Sequence, residues 1–460
     1  MIGEKVLVYR EDILHHVREL IRIRSVLSEP KEGMPYGEGV HAALTYVLQL
    51  AEQLGFRTAQ VDGHAGHAEY GEGEKLAAVL VHVDTVAEGD GWSVDPFQAL
   101  LRDGRIYGRG ASDNKAAAIA ALFCLKAVQD SGLLPKKRIR IIFGTNEENG
   151  MTDLDHYFAK EPLPDYGFTP DAAYPIIHAE KGYYVIRLSV EHPSSPVTLT
   201  GGTAPNVVPD RCRADIDRIA LGEKSLEPLL QQAAASGRIE CSPEENRIRL
   251  TAAGKSGHGS YPPSGINAVS ILVELLQGLP FVGGPMNLIR FVGEKIGREA
   301  FGESLGLAVS DPVHGRLTIN LGQMEVRDKE SMALLNLRYP VTENGPSLID
   351  SLREAAWEYG IRVEVLQHLE PLYVPPDHPL IRKLSRAYEA VTGEKAELLS
   401  IGGGTYARKL QNRGVAFGPG FRGTDTKAHQ PDEFVPIDDL MRHAVICTQA
   451  IFEMLDEEEG

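Results

Sequence analysis

Apolar and polar positions recur along this chain with two different periods, and the change of period divides it. Near the N terminus the spacing is helical. Ile13, Val17, Leu20 and Ile21 line one face over residues 11–23, and Val40, Leu44, Val47, Leu48 and Ala51 do so over 39–54, where Gly55 stops the run. Residues 76–83 are nearly all apolar, as a strand covered on both faces should be. Residues 97–107 read as a hairpin turning at Asp103-Gly104. Residues 116–128 are apolar on nearly every side, which predicts a buried helix, and 139–143 form a second buried strand. Helix, helix, strand, hairpin, helix, strand is the order of an α/β domain.

Past Lys181-Gly182 the strands alternate and turns become frequent. Strands are expected over 183–190, 246–252, 315–324 and 330–338, with helices over 225–236, 268–276 and 346–359, the texture of α+β material with antiparallel sheets. Pro375-Pro376 closes this part. From His378 the α/β character returns with an amphipathic helix (Leu380, Leu384, Ala387, Tyr388, Val391), a Gly-rich turn, a strand over 414–417 and a final helix over 437–455. The expected architecture is a discontinuous α/β domain, a mixed sheet with flanking helices, over 1–186 and 377–460. An α+β domain is inserted at 187–376, and its roughly 190 residues are enough for two subdomains. The acidic run 456–459 is expected to be solvated.

Composition narrows the partners. A chain of 460 residues with 43% hydrophobic and 24% charged content suits a soluble protein of two domains. Its formal charge of −17 argues against nucleic acid or an anionic membrane, and leaves room for bound cations. Cys124, Cys212, Cys241 and Cys447 show no C-x-x-C spacing, so neither a disulfide framework nor a cysteine zinc site is expected. No apolar run reaches membrane-spanning length and the first residues have no secretory pattern, so the expectation is a cytoplasmic protein with reduced thiols.

The candidate chemistry gathers between Lys75 and Glu148, where ionisable side chains fall at the C-terminal ends of two buried strands. Open α/β sheets place their ligand crevice at those ends. His82 and Asp84 form H-x-D, the pairing that holds the second nitrogen of a metal-bound imidazole, although a buried His satisfied by its neighbour reads the same. Asp113 precedes a helix and could be its N-cap. Glu147 and Glu148 follow a strand with no spacer, either as a polar turn or as one ligand and one free carboxylate. Asp171, between two prolines, and His429, in a polar loop, are unremarkable singly. Together His82, Asp113, Glu148, Asp171 and His429 make a mixed N/O set suited to two divalent ions. Gly254-Lys255-Ser256 lacks the first Gly of a phosphate loop, so no nucleoside triphosphate site is expected.

In order, H-V-D-T-V, Y-G-R-G-A-S-D-N-K, G-T-N-E-E-N-G, P-D-A-A-Y-P-I-I-H-A-E-K-G, G-G-G-T-Y-A-R and A-H-Q-P-D-E-F resemble the motifs of PepV-type dipeptidases, within the aminoacylase/carnosinase-like dimetal metallopeptidases. The resemblance runs over nearly the whole chain. It implies a zinc-peptidase-like catalytic domain with an inserted lid. It implies that His82 and Asp171 hold one ion, Glu148 and His429 the other, and that Asp113 bridges them, often with a cis peptide after it. Glu147 would be the general base and Asp84 would orient His82. His258 would steady the oxyanion, with Asn206 assisting. Arg338 and the loop Gly402-Gly403-Gly404-Thr405 would grip a substrate carboxylate. The chain departs from the pattern at Asn114 (commonly Asp), Ala116 (Gly), Asn146 (often Asp) and Gly257-His258-Gly259 (S-A-H).

The expected activity is hydrolysis of unblocked dipeptides by a monomer carrying two divalent ions, zinc first, manganese or cobalt as alternatives. Hydrolysis of N-acyl amino acids on the same machinery, and a metal- or peptide-binding module without turnover, are the competing readings. Glu147 argues against the last, because binding alone needs no base.

Overall fold

In the computed structural model, which describes residues 1–456, the all-apolar segment forms the strand Leu76–His82, buried at every position. It lies between Arg138–Gly144 and Tyr166–Thr169 and is parallel to both, with His82 level with Gly144. Gly414–Ala416 extends the parallel set beside Tyr166–Thr169. The complete mixed sheet is nine-stranded among the described residues. Its outer hairpin, Arg57–Val61 with Ala65–Tyr70, was not expected from the sequence. Those strands are short and carry no clean alternation; they are joined by the three-residue loop 62–64, in which Asp62 and Gly63 both take positive φ (49° and 75°).

Parallel strands require a crossover, here through the helix Lys115–Asp130. Thirteen of its sixteen residues are buried, among the helices Arg10–Arg22 and Ile437–Leu455 and the sheet, which explains an apolar pattern with no polar face. The hairpin Leu100–Arg102 and Arg105–Tyr107 turns at Asp103-Gly104 as its sequence implies, both with positive φ. A third strand, Phe434–Pro436, joins it antiparallel to Arg105–Tyr107.

The chain forms two compact units. The first comprises Met1–Ala179, Leu372–Ser400 and Gly404–Gly460, and the second Glu180–Pro371 with Ile401–Gly403. An insert beginning at residue 187 would have cut the strand Gly182–Glu191. That strand pairs along its whole length with Glu330–Tyr339, so it goes with the second unit. The second unit is a fully antiparallel eight-stranded sheet running from Ile239–Pro243 at one edge to Arg362–Leu369 at the other. Val197–Gly201 alternates buried and exposed positions, whereas the central strand Thr318–Val326 is buried over its first five residues. One core runs beneath it, so the material expected to make two subdomains shares a single sheet. The helix Gly284–Lys295 was missed because Gly283-Gly284-Pro285 reads as a breaker; here the proline sits in the first helical turn, where its absent N–H costs nothing.

Among the described residues no helix is long and apolar enough to cross a membrane. Of the acidic run 456–459, all but Asp456 lies outside the described residues.

Candidate metal centre

Parallel alignment brings the sequence candidates to one edge of the first unit's sheet. Leu76–His82, Arg138–Gly144 and Tyr166–Thr169 point the same way, so His82, the Glu147-Glu148 turn and Asp171 all leave their strands on the same side. The glutamates do not follow the strand directly. Thr145 and Asn146 intervene, and Glu147–Asn149 is a single 3-10 turn. Asp113 and His429 arrive through the small antiparallel sheet. The chain leaving Tyr107 runs to Asp113, and the chain entering Phe434 comes from His429; antiparallel pairing puts both at one end.

His82 is fully buried, and its Nδ1 lies 3.1 Å from the backbone carbonyl of Asp84 and 3.4 Å from the Asp84 carboxylate. With Nδ1 engaged, Nε2 is the nitrogen left to face the cluster. It lies 3.1 Å from Asp113 Oδ1 and 3.6 Å from Asp171 Oδ1. His429 Nε2 lies 3.0 Å from Asp113 Oδ2 and 3.1 Å from Glu148 Oε2. Two sets result, His82–Asp113–Asp171 and Asp113–Glu148–His429, each with ligand atoms within 4.8 Å of one another, and Asp113 belongs to both. The Asp84 carboxylate also accepts the backbone N–H groups of Glu147 and Glu148, at 3.2 Å each, so one side chain steadies the imidazole and the turn opposite it.

The charges suit cations. Two carboxylates about 4 Å apart repel by ~4 kcal/mol at an effective dielectric of 20. Burial and the charge of Asp113 push the Glu148 carboxyl up to about 7, against its bond to His429. Burial, then Asp171, raises Glu147 well above the ordinary carboxylate range. Against burial, the hydrogen bonds from His429 and His82 hold Asp113 well below it. Hydrogen bonds to Asp113 and Glu148 push His429 up to about 11. The imidazoles thus lie where positive charge is wanted, and imidazole nitrogens with carboxylate oxygens are the donors that zinc, manganese and cobalt accept. The residues fit a pair of divalent ions. Glu147 makes no side-chain hydrogen bond or ion pair among the described residues, which leaves its carboxylate available.

Several residues that build the site were not singled out from the sequence. Glu433, fully buried, accepts from the backbone N–H of Gly110 (3.1 Å), Ser112 (2.9 Å) and Asp113 (3.1 Å), and from Arg109 Nη1 (2.7 Å). It is the template on which the Asp113 loop is wound. Gly110 has φ 83°, and a Cβ there would lie 2.8 Å from Thr85 Cγ2. Asp113 is not the helix cap; Asn114 holds that place, after a cis Asp113–Asn114 peptide. Asn114 donates to the Pro170 carbonyl (2.7 Å) and to Asp171 Oδ1 (3.0 Å), so the departure from the common Asp provides a donor to one candidate ligand. Lys115, buried, donates to the carbonyls of Leu20 and Ile23, and burial pulls it down to about 7. Asp153 accepts from Thr145 N (2.6 Å), Asn146 N (3.1 Å) and the Tyr406 hydroxyl, and Tyr406 stands edge-on to the His82 ring. Glu433 lies inside A-H-Q-P-D-E-F, but spacing alone cannot tell a template acid from a solvated one.

Thr405, expected to touch substrate, caps the short turn Tyr406–Leu410 through Ala407 N. Within the second unit, Val207–Val208 pairs with Gly257–His258, and Gly259 N donates to Asn206 O at 2.7 Å, so Asn206 and His258 are neighbours. His258 Nδ1 lies 2.6 Å from Ser260 Oγ. Arg338 is buried, donates to Asn336 Oδ1 (2.8 Å) and to the Gly402 carbonyl, and lies over Tyr183. Gly403 belongs to that unit and Gly404 to the first.

Residues 78–453 match the model of "Peptidase family M20/M25/M40". The chain is 40% identical over 463 residues to "Putative dipeptidase YtjP" of Bacillus subtilis (strain 168), covering 98% of each. It is 34% identical over 472 residues to "Putative dipeptidase" of Staphylococcus epidermidis, covering 100% of each. Among solved structures it shares its fold with human carnosine dipeptidase 1 (TM-score 0.62, 15% identity, 99% of this chain and 98% of that one) and with the di-peptidase Dug1p of Saccharomyces cerevisiae (TM-score 0.62, 13% identity, 99% and 98%).

Proposed function

The chain belongs to peptidase family M20/M25/M40 and is a metallopeptidase; from that premise we propose that it hydrolyses unblocked dipeptides at the cluster around Asp113. One observation carries the reading: two three-residue donor sets share Asp113, and the carboxylate of Glu147, which shares a turn with Glu148, feels the charges of Asp171, His82, Glu148 and Asp113. His82 and Asp171 would hold one divalent ion, Glu148 and His429 the other, and Asp113 both. When bound, such ions polarise the scissile carbonyl and make water acidic enough to lose a proton near neutrality.

The chain's own residues do the rest. Glu147 takes the proton from the attacking water and delivers it to the leaving amine. Asp84 fixes the His82 ring by Nδ1 and the Glu147-Glu148 turn by its amides, so ligand and base keep a constant separation. The roles of His258 and Asn206 toward the oxyanion, and of Arg338, Gly403, Gly404 and Thr405 toward the substrate carboxylate, rest on sequence resemblance. They are tested by His258→Ala, expected to lower kcat, and Arg338→Ala, expected to raise KM.

Glu147→Gln is the decisive variant. It keeps shape and removes the base, so dipeptide turnover should fall by roughly 10²–10⁴-fold while bound metal stays at the wild-type ratio. Near-wild-type rates would refute the mechanism. Faster hydrolysis of N-acetyl amino acids than of dipeptides would move the assignment to an amidohydrolase.

A further inference from the structure

The first unit holds a cavity of about 170 Å³ whose wall includes Asp113 and Asp171. A single water needs only ~10–15 Å³ of such space, so a side chain of several heavy atoms fits. Ala116 and Ala117, from the start of the helix Lys115–Asp130, form one side, and Val435 and Leu440 another; all four are buried and apolar. Asp439 and Thr424 also line it, and the Thr424 hydroxyl donates to Asp439 Oδ2 at 3.1 Å. Asp439 makes no ion pair among the described residues. Arg442, one turn further along the same helix, lies over the Phe421 ring at 4.6 Å instead.

This is an apolar sleeve with reacting-centre carboxylates and an uncompensated carboxylate both in its wall. We propose that the cavity is a specificity pocket for a cationic side chain, lysine first, on the residue that supplies the scissile carbonyl; the proposal rests on the dipeptidase reading above. A lysine stem is apolar and its ammonium is a compact charge, so small apolar walls with a carboxylate suit it. The pocket borders Asp113 and Asp171, where an ion polarising the carbonyl would be held. The Cβ of the carbonyl-bearing residue lies two bonds from that carbon, and that of the leaving residue three bonds away, so the N-terminal residue has the nearer claim.

The test compares Lys-Ala, Met-Ala and Ala-Lys on the metal-loaded enzyme, with Asp439→Asn and, as control for general surface charge, Asp438→Asn. Asp438 is exposed in the same helical turn and does not line the cavity. Lys-Ala should have the highest kcat/KM, and Asp439→Asn should lower the Lys-Ala to Met-Ala ratio roughly tenfold, the value of one charge-assisted hydrogen bond, while Asp438→Asn leaves it unchanged. A thermal shift with L-lysinamide against L-norleucinamide reads binding without turnover. Should no dipeptide be hydrolysed while L-lysinamide still protects the wild type and not Asp439→Asn, the pocket stands and the dipeptidase reading falls. Hydrolysis without preference for Lys-Ala over Met-Ala, preference for Ala-Lys, or equal effects of the two Asp variants overturns the pocket and leaves the dipeptidase reading intact.

Discussion

Replacing Glu433 should separate folding from metal binding, because this residue serves both without being a candidate ligand. Its carboxylate is fully buried, pairs with Arg109 at 2.7 Å, and accepts the backbone N–H groups of Gly110, Ser112 and Asp113. Removing one member of a buried ion pair typically costs about 3–5 kcal/mol, because the other charge is left without a partner. Among the described residues Arg109 would keep the Glu88 carbonyl at 3.1 Å and the face of Trp92 at 5.2 Å. Each orphaned amide adds ~1–3 kcal/mol if water cannot reach it, although such terms are not additive. Glu433→Ala should therefore lose several kcal/mol in denaturant unfolding of the chelated protein. It should also weaken zinc binding by roughly 10–100-fold in competition with a chelating dye, since Asp113 loses the support that aims it. Arg109→Met with Glu433→Leu is the control: an apolar pair should recover much of the stability, but not the zinc affinity, because the amides still lack an acceptor. If Glu433→Gln keeps stability within about 0.5 kcal/mol and zinc affinity within about twofold, the Asp113 loop is held by something else and the template argument fails.

Chelation should abolish turnover while the far-UV circular dichroism stays unchanged, because both units have extensive apolar cores and neither is organised around an ion. Re-supplying zinc, manganese or cobalt should restore activity to different extents; activity that survives exhaustive chelation would end the dimetal reading. A second expectation concerns acid stability. Burial, then Arg140, lowers His67 to about 4, and burial lowers His443 to about 3. Below the unfolded value near 6.5 the unfolded chain takes up protons that the folded chain refuses. Their contribution is thus complete above pH 6.5 and is lost as pH falls toward 4 and 3, at up to ~1.4 kcal/mol per pH unit for each histidine. His443→Gln should flatten the unfolding free energy between pH 6 and 4 by about that slope relative to wild type; parallel curves would refute it.

What could be read from the chain alone depended on whether the signal was local. Residues 437–455 carry a long apolar face, and the helix Ile437–Leu455 occupies the same span. The turn at Asp103-Gly104 announced itself because its geometry needs those residue types. His82, Asp113, Glu148, Asp171 and His429 were legible because each stands at a strand end or in a loop with a donor side chain, and resemblance supplied their common purpose. The supports of the site were not legible in the same way. Glu433 and Arg109 are 324 positions apart, and Tyr406 and Asp153 are 253 apart. Such pairs are joined by the fold, and in one sequence each looks like an ordinary surface residue. Sequence reasoning therefore finds the atoms that touch a ligand sooner than those that aim them. At this site the aiming residues form two groups: Glu433 fixes the Asp113 loop and Asn114 ties that loop to Asp171, while Asp84 ties His82 to the Glu147-Glu148 turn and Asp153 ties the chain entering that turn to Tyr406 beneath His82. A perturbation at any one of them should reach the donor set without touching a donor, which makes the four together a sharper test of pre-organisation than any ligand substitution.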